Sequence, residues 1–165
     1  MTYRLVSEQA EHGAGIEHVL DRAFGPGRFA KSSERVRERG AVLEPSLSRV
    51  ALDDGGTVVG VCRISRVAAG DAWVHFLGPL AVDPGVQGAG LGFALAKECV
   101  AAVRAAGGGG VVLVGAEPFF RPLGFTQVPS GRLTMPGVFA PSRLLWLELK
   151  AGAFDKAHGE IGARR

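Results

Sequence analysis

Apolar and polar residues alternate weakly over residues 2–6 and predict a short first strand. Helical spacing follows over residues 8–23, with Ser7 as its cap and Glu8 and Glu11 near its positive end. Gly25-Pro26-Gly27 stops that helix, and Ser32 or Ser33 starts a second, shorter one that carries residues 34–39. Residues 50–53 predict a strand that turns at Asp54-Gly55-Gly56 into a partner over residues 57–67. In that partner Val59, Val61, Arg63 and Ser65 alternate against Val58, Gly60, Cys62 and Ile64. After a turn at Gly70-Asp71, residues 73–82 predict a long strand. It is irregular at Gly78-Pro79, because an interior proline cannot donate to the ladder.

The next element is a helix over residues 90–106. Leu91, Ala94, Leu95, Cys99, Ala102 and Val103 share one face, opposite Lys97 and Arg104. Glu98 falls on the apolar side, against the pattern. Glycines 107–110 end the helix, and residues 111–114 form a short apolar run that predicts a buried strand. A helical turn over residues 118–123 leads to Gly124-Phe125, and two strands near residues 125–128 and 144–149 complete the series. This order predicts an α/β fold with a mixed, mostly antiparallel central sheet flanked by helices. One domain is expected over residues 1–150, with residues 151–165 as a polar tail.

Composition narrows the class. At 165 residues, 47% apolar and 21% charged, the chain suits one globular core. Nineteen basic against 16 acidic residues leave a net charge of +3. That excess, scattered over Arg35, Arg37, Arg39 and Arg164-Arg165, predicts solvated faces and no nucleic-acid partner. No apolar run reaches membrane-spanning length and no signal peptide precedes the first strand, so a cytoplasmic protein with no membrane partner is expected. Cys62 and Cys99 lack metal-ligand spacing and are expected as buried thiols, with no metal site.

The most informative stretch is Leu80-Ala81-Val82-Asp83-Pro84-Gly85-Val86-Gln87-Gly88-Ala89-Gly90-Leu91-Gly92. A strand runs through a Pro-Gly turn into a helix whose first residues include three alternate glycines. Such a start presents unpaired N–H groups and the positive end of a helix dipole, with no side chains in the way of a pyrophosphate. Gln87 adds a neutral amide at the rim. A dinucleotide fingerprint fails, because Phe93 or Leu95 stands where its last glycine belongs. No Gly-Lys-Ser/Thr triplet is present for a Walker loop. Glycines used only for tight packing are the plain alternative.

Gln87-Gly88-Ala89-Gly90-Leu91-Gly92 resembles the Gln/Arg-x-x-Gly-x-Gly/Ala signature of the GNAT superfamily of N-acetyltransferases. Phe119-Phe120-Arg121-Pro122-Leu123-Gly124-Phe125 is similar to that superfamily's aromatic-x-x-x-Gly-Phe element. Ala23-Phe24-Gly25-Pro26-Gly27 and Leu147-Glu148-Leu149 look similar to a bacterial subgroup of predicted acetyltransferases.

The resemblance implies transfer of an acetyl group from acetyl-CoA to a primary amine by direct attack in a ternary complex. It implies cofactor contacts from Leu80, Ala81, Val82, Gln87, Gly88, Ala89, Gly90, Leu91, Gly92 and Phe120. Main-chain groups of Leu80 and Val82 would pair with the pantetheine arm, and one N–H would polarise the thioester carbonyl. His75 and Glu117 are candidate bases, since an alkylammonium is unreactive until it loses a proton. Asp71 and Asp83 are expected as turn and cap residues. Family members commonly carry a tyrosine at the position of Phe120 to protonate the thiolate, and the chain's one tyrosine is Tyr3. Water or Tyr3 would then have to serve. The alternative is a catalytically degenerate acyl-CoA-binding sensor or scaffold. The acceptor, a small-molecule or peptide amine, is expected near residues 24–29, Trp73 and residues 135–139. A homodimer is a further expectation, with residues 144–149 reaching across its interface.

Overall fold

The computed structural model describes residues 2–162, with the side chains of residues 29 and 30 left aside. Its main sheet is built from β1 (Arg4–Ser7), β2 (Val42–Leu43), β3 (Arg49–Leu52), β4 (Val58–Ala69), β5 (Ala72–Val82), β6 (Gly110–Val114), β7 (Thr126–Gln127) and β9 (Leu144–Glu148). The order is β1-β3-β4-β5-β6-β9-β7, with β2 also on β4. Only β5 and β6 run parallel within it. The helices are α1 (Gly13–Phe24), α2 (Ser32–Glu38), α3 (Leu91–Ala105) and α4 (Glu117–Phe120). A mixed, mostly antiparallel sheet flanked by helices is the expected architecture.

Two helices cover opposite faces of the long strands. Leu91, Leu95, Cys99 and Val103 of α3 pack with Cys62, Ile64, Leu77 and Val111. Gly60 makes that approach possible, because a Cβ there would lie 2.9 Å from Leu95 Cδ1. On the other face Ile16, Val19 and Leu20 of α1 meet Val50, Val61 and Ala81. Glu98 resolves its misfit by pairing with Arg49 on β3 at 3.4 Å. Cys62 and Cys99 are buried and unlinked, and the Cys99 thiol donates to the Cys62 carbonyl at 3.4 Å.

Several details differ from the sequence reading. Ser7 ends β1 and caps nothing; the helical segment opens as a 3-10 turn, Ala10–His12, with Gln9 at its N-cap. Glu8 instead forms a buried ion pair with Arg63 on β4. The larger correction concerns residues 151–165. They do not form a free polar tail over their described part: Phe154, Ala157 and Ile161 are buried in a third cluster with Val67, Val74 and Val112. Phe154 stacks on Trp146 at 4.5 Å, and β10 (Gly159–Glu160) pairs with β8 (Leu133–Thr134). Polar residues around isolated apolar anchors hid this packing. Residues 164 and 165 lie outside the described chain. Strand β9 is paired along its length with β6 and, at Leu145 and Trp146, with β7.

Candidate functional site

The sheet is split at its centre. β4 stays paired with β5 out to Val82, but the β5–β6 pairing stops at His75–Val111 and Phe76–Val112. Beyond that point the outer edge of residues 77–82 has no neighbouring strand among the described residues. The cause lies at Gly78-Pro79. Cys62 pairs with Leu80 and Ile64 with Leu77, so β5 carries one more residue than β4 there. Such a bulge bends a strand, and Pro79 has no N–H to offer a neighbour. Gly78 holds a φ of 148°, a region that glycine adopts without steric cost.

The split opens a cavity of about 610 Å³ between Phe76, Leu77, Gly78, Pro79 and Leu80 on one wall and Leu113, Val114, Gly115 and Ala116 on the other. Phe24 at the end of α1 and Val138 and Phe139 from a loop also line it; of the other residues expected near an acceptor, Trp73 does not line it and Met135 is buried in the core. Sequence reasoning missed its polar lining, Lys31, Ser32, Ser33 and Arg143. These residues stand before or at the starts of short elements and carry no motif.

A second cavity of about 390 Å³ lies at the start of α3, lined by Leu80, Ala81, Val82, Gln87, Gly88, Gly90, Leu91, Gly92 and Phe119 among others. Leu80 and Phe119 border both cavities, so the two form one cleft along the free edge of β5. Gly90 is the N-cap of α3, with φ 73° and no side-chain cap, leaving the first N–H groups of a 15-residue helix facing outward. Gly88 is also left-handed at φ 94°, and a Cβ on either glycine would meet nothing within 4 Å. The first turn is therefore an open, electropositive concavity fit for an anion. Gln87 lines this cavity, and its Nε2 donates to the Val82 carbonyl at 3.3 Å. Ala89 is exposed and borders neither cavity.

The other candidates scatter. His75 lines neither cavity. It abuts Gly108, as does Val103 near the far end of α3, and a helix of that length puts the cradle about 20 Å away. Its Nδ1 is buried without a partner, and burial lowers its pKa below the usual 6.5. Glu117 opens α4, half-buried and clamped by Arg121 through bonds of 2.7 and 2.6 Å. Those bonds lower its pKa below the ordinary carboxylate value, which makes it a poorer base. Asp83 accepts from the Gly85 N–H, the cap role expected of it. Phe120 does line the larger cavity, in an edge-to-face chain with Phe119 at 4.8 Å and Phe125 at 5.7 Å. Tyr3 borders neither cavity.

The model of the acetyltransferase (GNAT) family matches residues 14–125. The chain belongs to that family. Among solved structures it is similar to the GNAT family N-acetyltransferase YhbS from Escherichia coli in complex with CoA. The identity is 27%, over 96% of this chain and 88% of that one, with a TM-score of 0.79. A GNAT family acetyltransferase from Brucella melitensis in complex with acetyl-CoA is 28% identical over 89% and 88% of the two chains, with a TM-score of 0.68. The ribosomal-protein-S18-alanine N-acetyltransferase from Escherichia coli, at 18% identity, 90% and 95% coverage and TM-score 0.63, shares the fold. No curated protein matches the chain at a significant level. Fold and family together make this GNAT chain an N-acetyltransferase in the general sense. Among the described residues no cluster of His, Cys, Asp and Glu fits a metal ion, and no helix is long and apolar enough to cross a membrane.

Proposed function

We propose that this GNAT protein moves an acetyl group from acetyl-CoA to a primary amine by direct attack within a ternary complex. The single cleft carries this reading: an anion cradle at one end, an acceptor-sized cavity at the other, and an unpaired strand edge between them. The relatives solved with CoA and acetyl-CoA support the same cosubstrate. N–H groups at the start of α3, with Gly88 and Gly90 keeping the approach open, would hold the pyrophosphate. Backbone groups of residues 77–82 would pair with the amides of the pantetheine arm as an added strand does. One N–H of that edge would polarise the thioester carbonyl, a contribution of about 3 kcal/mol.

In the transfer the amine nitrogen bonds to the thioester carbonyl carbon, the carbon–sulfur bond breaks, and the sulfur leaves with its electron pair. The amine sheds a proton to water, and the thiolate takes one from water. Neither cavity is lined by a carboxylate, an imidazole or a phenol among the described residues, so solvent carries both protons. Phe120 packs beside the departing sulfur without donating.

Calorimetric titration with acetyl-CoA, with NAD as comparator, tests the cleft, and thiol release with an amine panel tests the transfer. Micromolar one-to-one binding of acetyl-CoA alone, followed by amine-dependent thiol release, is expected. A folded protein that does not bind acetyl-CoA would overturn the reading. The phenyl ring at residue 120 favours one rival, an acyl-CoA-binding sensor, which binding without turnover in either the native protein or Phe120→Tyr would establish.

A further inference from the structure

The charged lining of the larger cavity has one sign. Lys31, immediately before α2, and Arg143, immediately before β9, are its charged residues, with Ser32 and Ser33 beside them and apolar surface elsewhere. Eight of the described arginines have acidic partners, among them Arg22 with Asp83, Arg39 with Glu160, Arg63 with Glu8 and Arg121 with Glu117. Among the described residues neither Lys31 nor Arg143 is within ion-pair distance of a carboxylate. The Lys31 ammonium lies 4.1 Å from the centre of the Phe24 ring, which holds it at the cavity wall. Burial first, and then the Arg143 charge, lower the Lys31 pKa below its ordinary 10.5. The Arg143 charge therefore acts on Lys31, and no carboxylate among the described residues pairs with either cation.

We propose that the acetyl acceptor is a primary amine that also carries an anionic group, a carboxylate or phosphate, bound between Lys31 and Arg143. This rests on the acetyl-transfer reading of the same cleft. The Arg143 guanidinium offers a planar fork suited to either oxyanion, and Lys31 adds a point charge beside it. A plain alkylammonium brings only a third positive charge into the cavity and is disfavoured there. The same two cations disfavour the protonated form of a bound amine. That favours the free amine in a cavity where no carboxylate or imidazole is among the described lining residues.

The test compares a graded series of ω-amino acids with alkylamines of equal length, and phosphoethanolamine with ethanolamine, following thiol release from saturating acetyl-CoA. The anionic member of a pair is expected to have a kcat/KM at least about tenfold higher. Which anionic set is preferred separates carboxylate from phosphate. Arg143→Gln and Lys31→Gln should each remove most of that preference while acetyl-CoA affinity by calorimetry is unchanged. Should Arg143→Gln fail to fold, Lys31→Glu carries the same test. Equal use of both members of each pair, or a preference that survives in the folded variants, overturns the inference and leaves acetyl transfer intact. Acetyl-CoA binding with no thiol release from any amine overturns the transferase reading, and the inference falls with it.

Discussion

Arg22 and Asp83 are joined by two hydrogen bonds, Nε to Oδ2 at 2.8 Å and Nη2 to Oδ1 at 3.3 Å, which tie α1 to the turn ahead of the cradle. Asp83 Oδ1 also accepts from the Gly85 N–H at 2.8 Å. Arg22 thus balances the negative charge standing beside a proposed pyrophosphate site, and its hydrogen bond lowers the Asp83 pKa below the ordinary 3.8. Arg22→Ala should cost little stability, because an ion pair whose arginine is open to solvent contributes little. It should nevertheless weaken acetyl-CoA binding several-fold at low salt, because the bared carboxylate repels phosphate, and that deficit should shrink as salt screens the repulsion. Adding Asp83→Asn should restore affinity. Calorimetry across a salt series checks both, and unchanged affinity in Arg22→Ala would show that the pair is only structural.

Gly90→Asp should abolish acetyl-CoA binding and leave the fold intact. Aspartate is among the few residues that accept the left-handed conformation found at Gly90, and its Cβ would enter open space. Its carboxylate would then face the phosphates. Gly90→Asn, of similar shape without the charge, should bind more tightly than Gly90→Asp. Equal calorimetric affinity in the two variants would remove charge from the explanation, and normal binding by Gly90→Asp would sink the cradle.

Phe120→Tyr should raise kcat by about tenfold or more if its hydroxyl reaches the departing sulfur, since a placed general acid contributes at least that much. KM for acetyl-CoA should hardly change, because the ring already lines the cavity and packs against Phe119 and Phe125. Steady-state kinetics with one saturated amine decides it. A rise in binding alone would place the new hydroxyl away from the sulfur.

The motif-bearing half of this site was legible because it is built from backbone. A strand, a turn and alternate glycines must occur in that order, and Leu80, Gly88 and Gly90 met in one cleft as the pattern required. The β5 irregularity was readable for a similar reason, since Pro79 lacks an N–H whatever its surroundings. Side-chain chemistry was not legible. His75 and Glu117 were chosen for residue type and neighbourhood, yet one faces Gly108 and the other is held by Arg121. Lys31 and Arg143, 112 positions apart, share a cavity only because α2 and β9 converge at the split, which no local spacing records.

His75 should make stability depend on pH near neutrality. Its pKa in the folded chain lies below the usual 6.5, mainly through burial, with the Arg66 charge lowering it and Glu44 opposing. The unfolded chain thus binds the proton more readily, so stability falls as pH drops below about 6.5 and levels off below the folded pKa. His75→Phe should flatten that part of the profile relative to the native protein, with acetyl-CoA affinity at pH 7 unchanged. Urea melts between pH 5 and 8 check this, and parallel profiles for the two proteins would assign the dependence elsewhere.

Phe154→Ala tests whether the last residues belong to the core. Phe154 is 3% exposed, stacks on Trp146, and fills the space that a Cβ on Gly110 would take, 2.5 Å from its Cζ. Truncating a buried phenylalanine costs about 3–5 kcal/mol, a large fraction of the stability of a domain this size. Denaturant unfolding should therefore show a lower midpoint with nearly the same slope. The loss should also reach the acceptor cavity, because β6 runs from Gly110 into the wall formed by Leu113 and Val114. An amine KM that rises while acetyl-CoA affinity at the far end of the cleft holds would trace that path. A change below about 1 kcal/mol would return residues 151–162 to the status of a tail, since exposed positions rarely cost more than about half that.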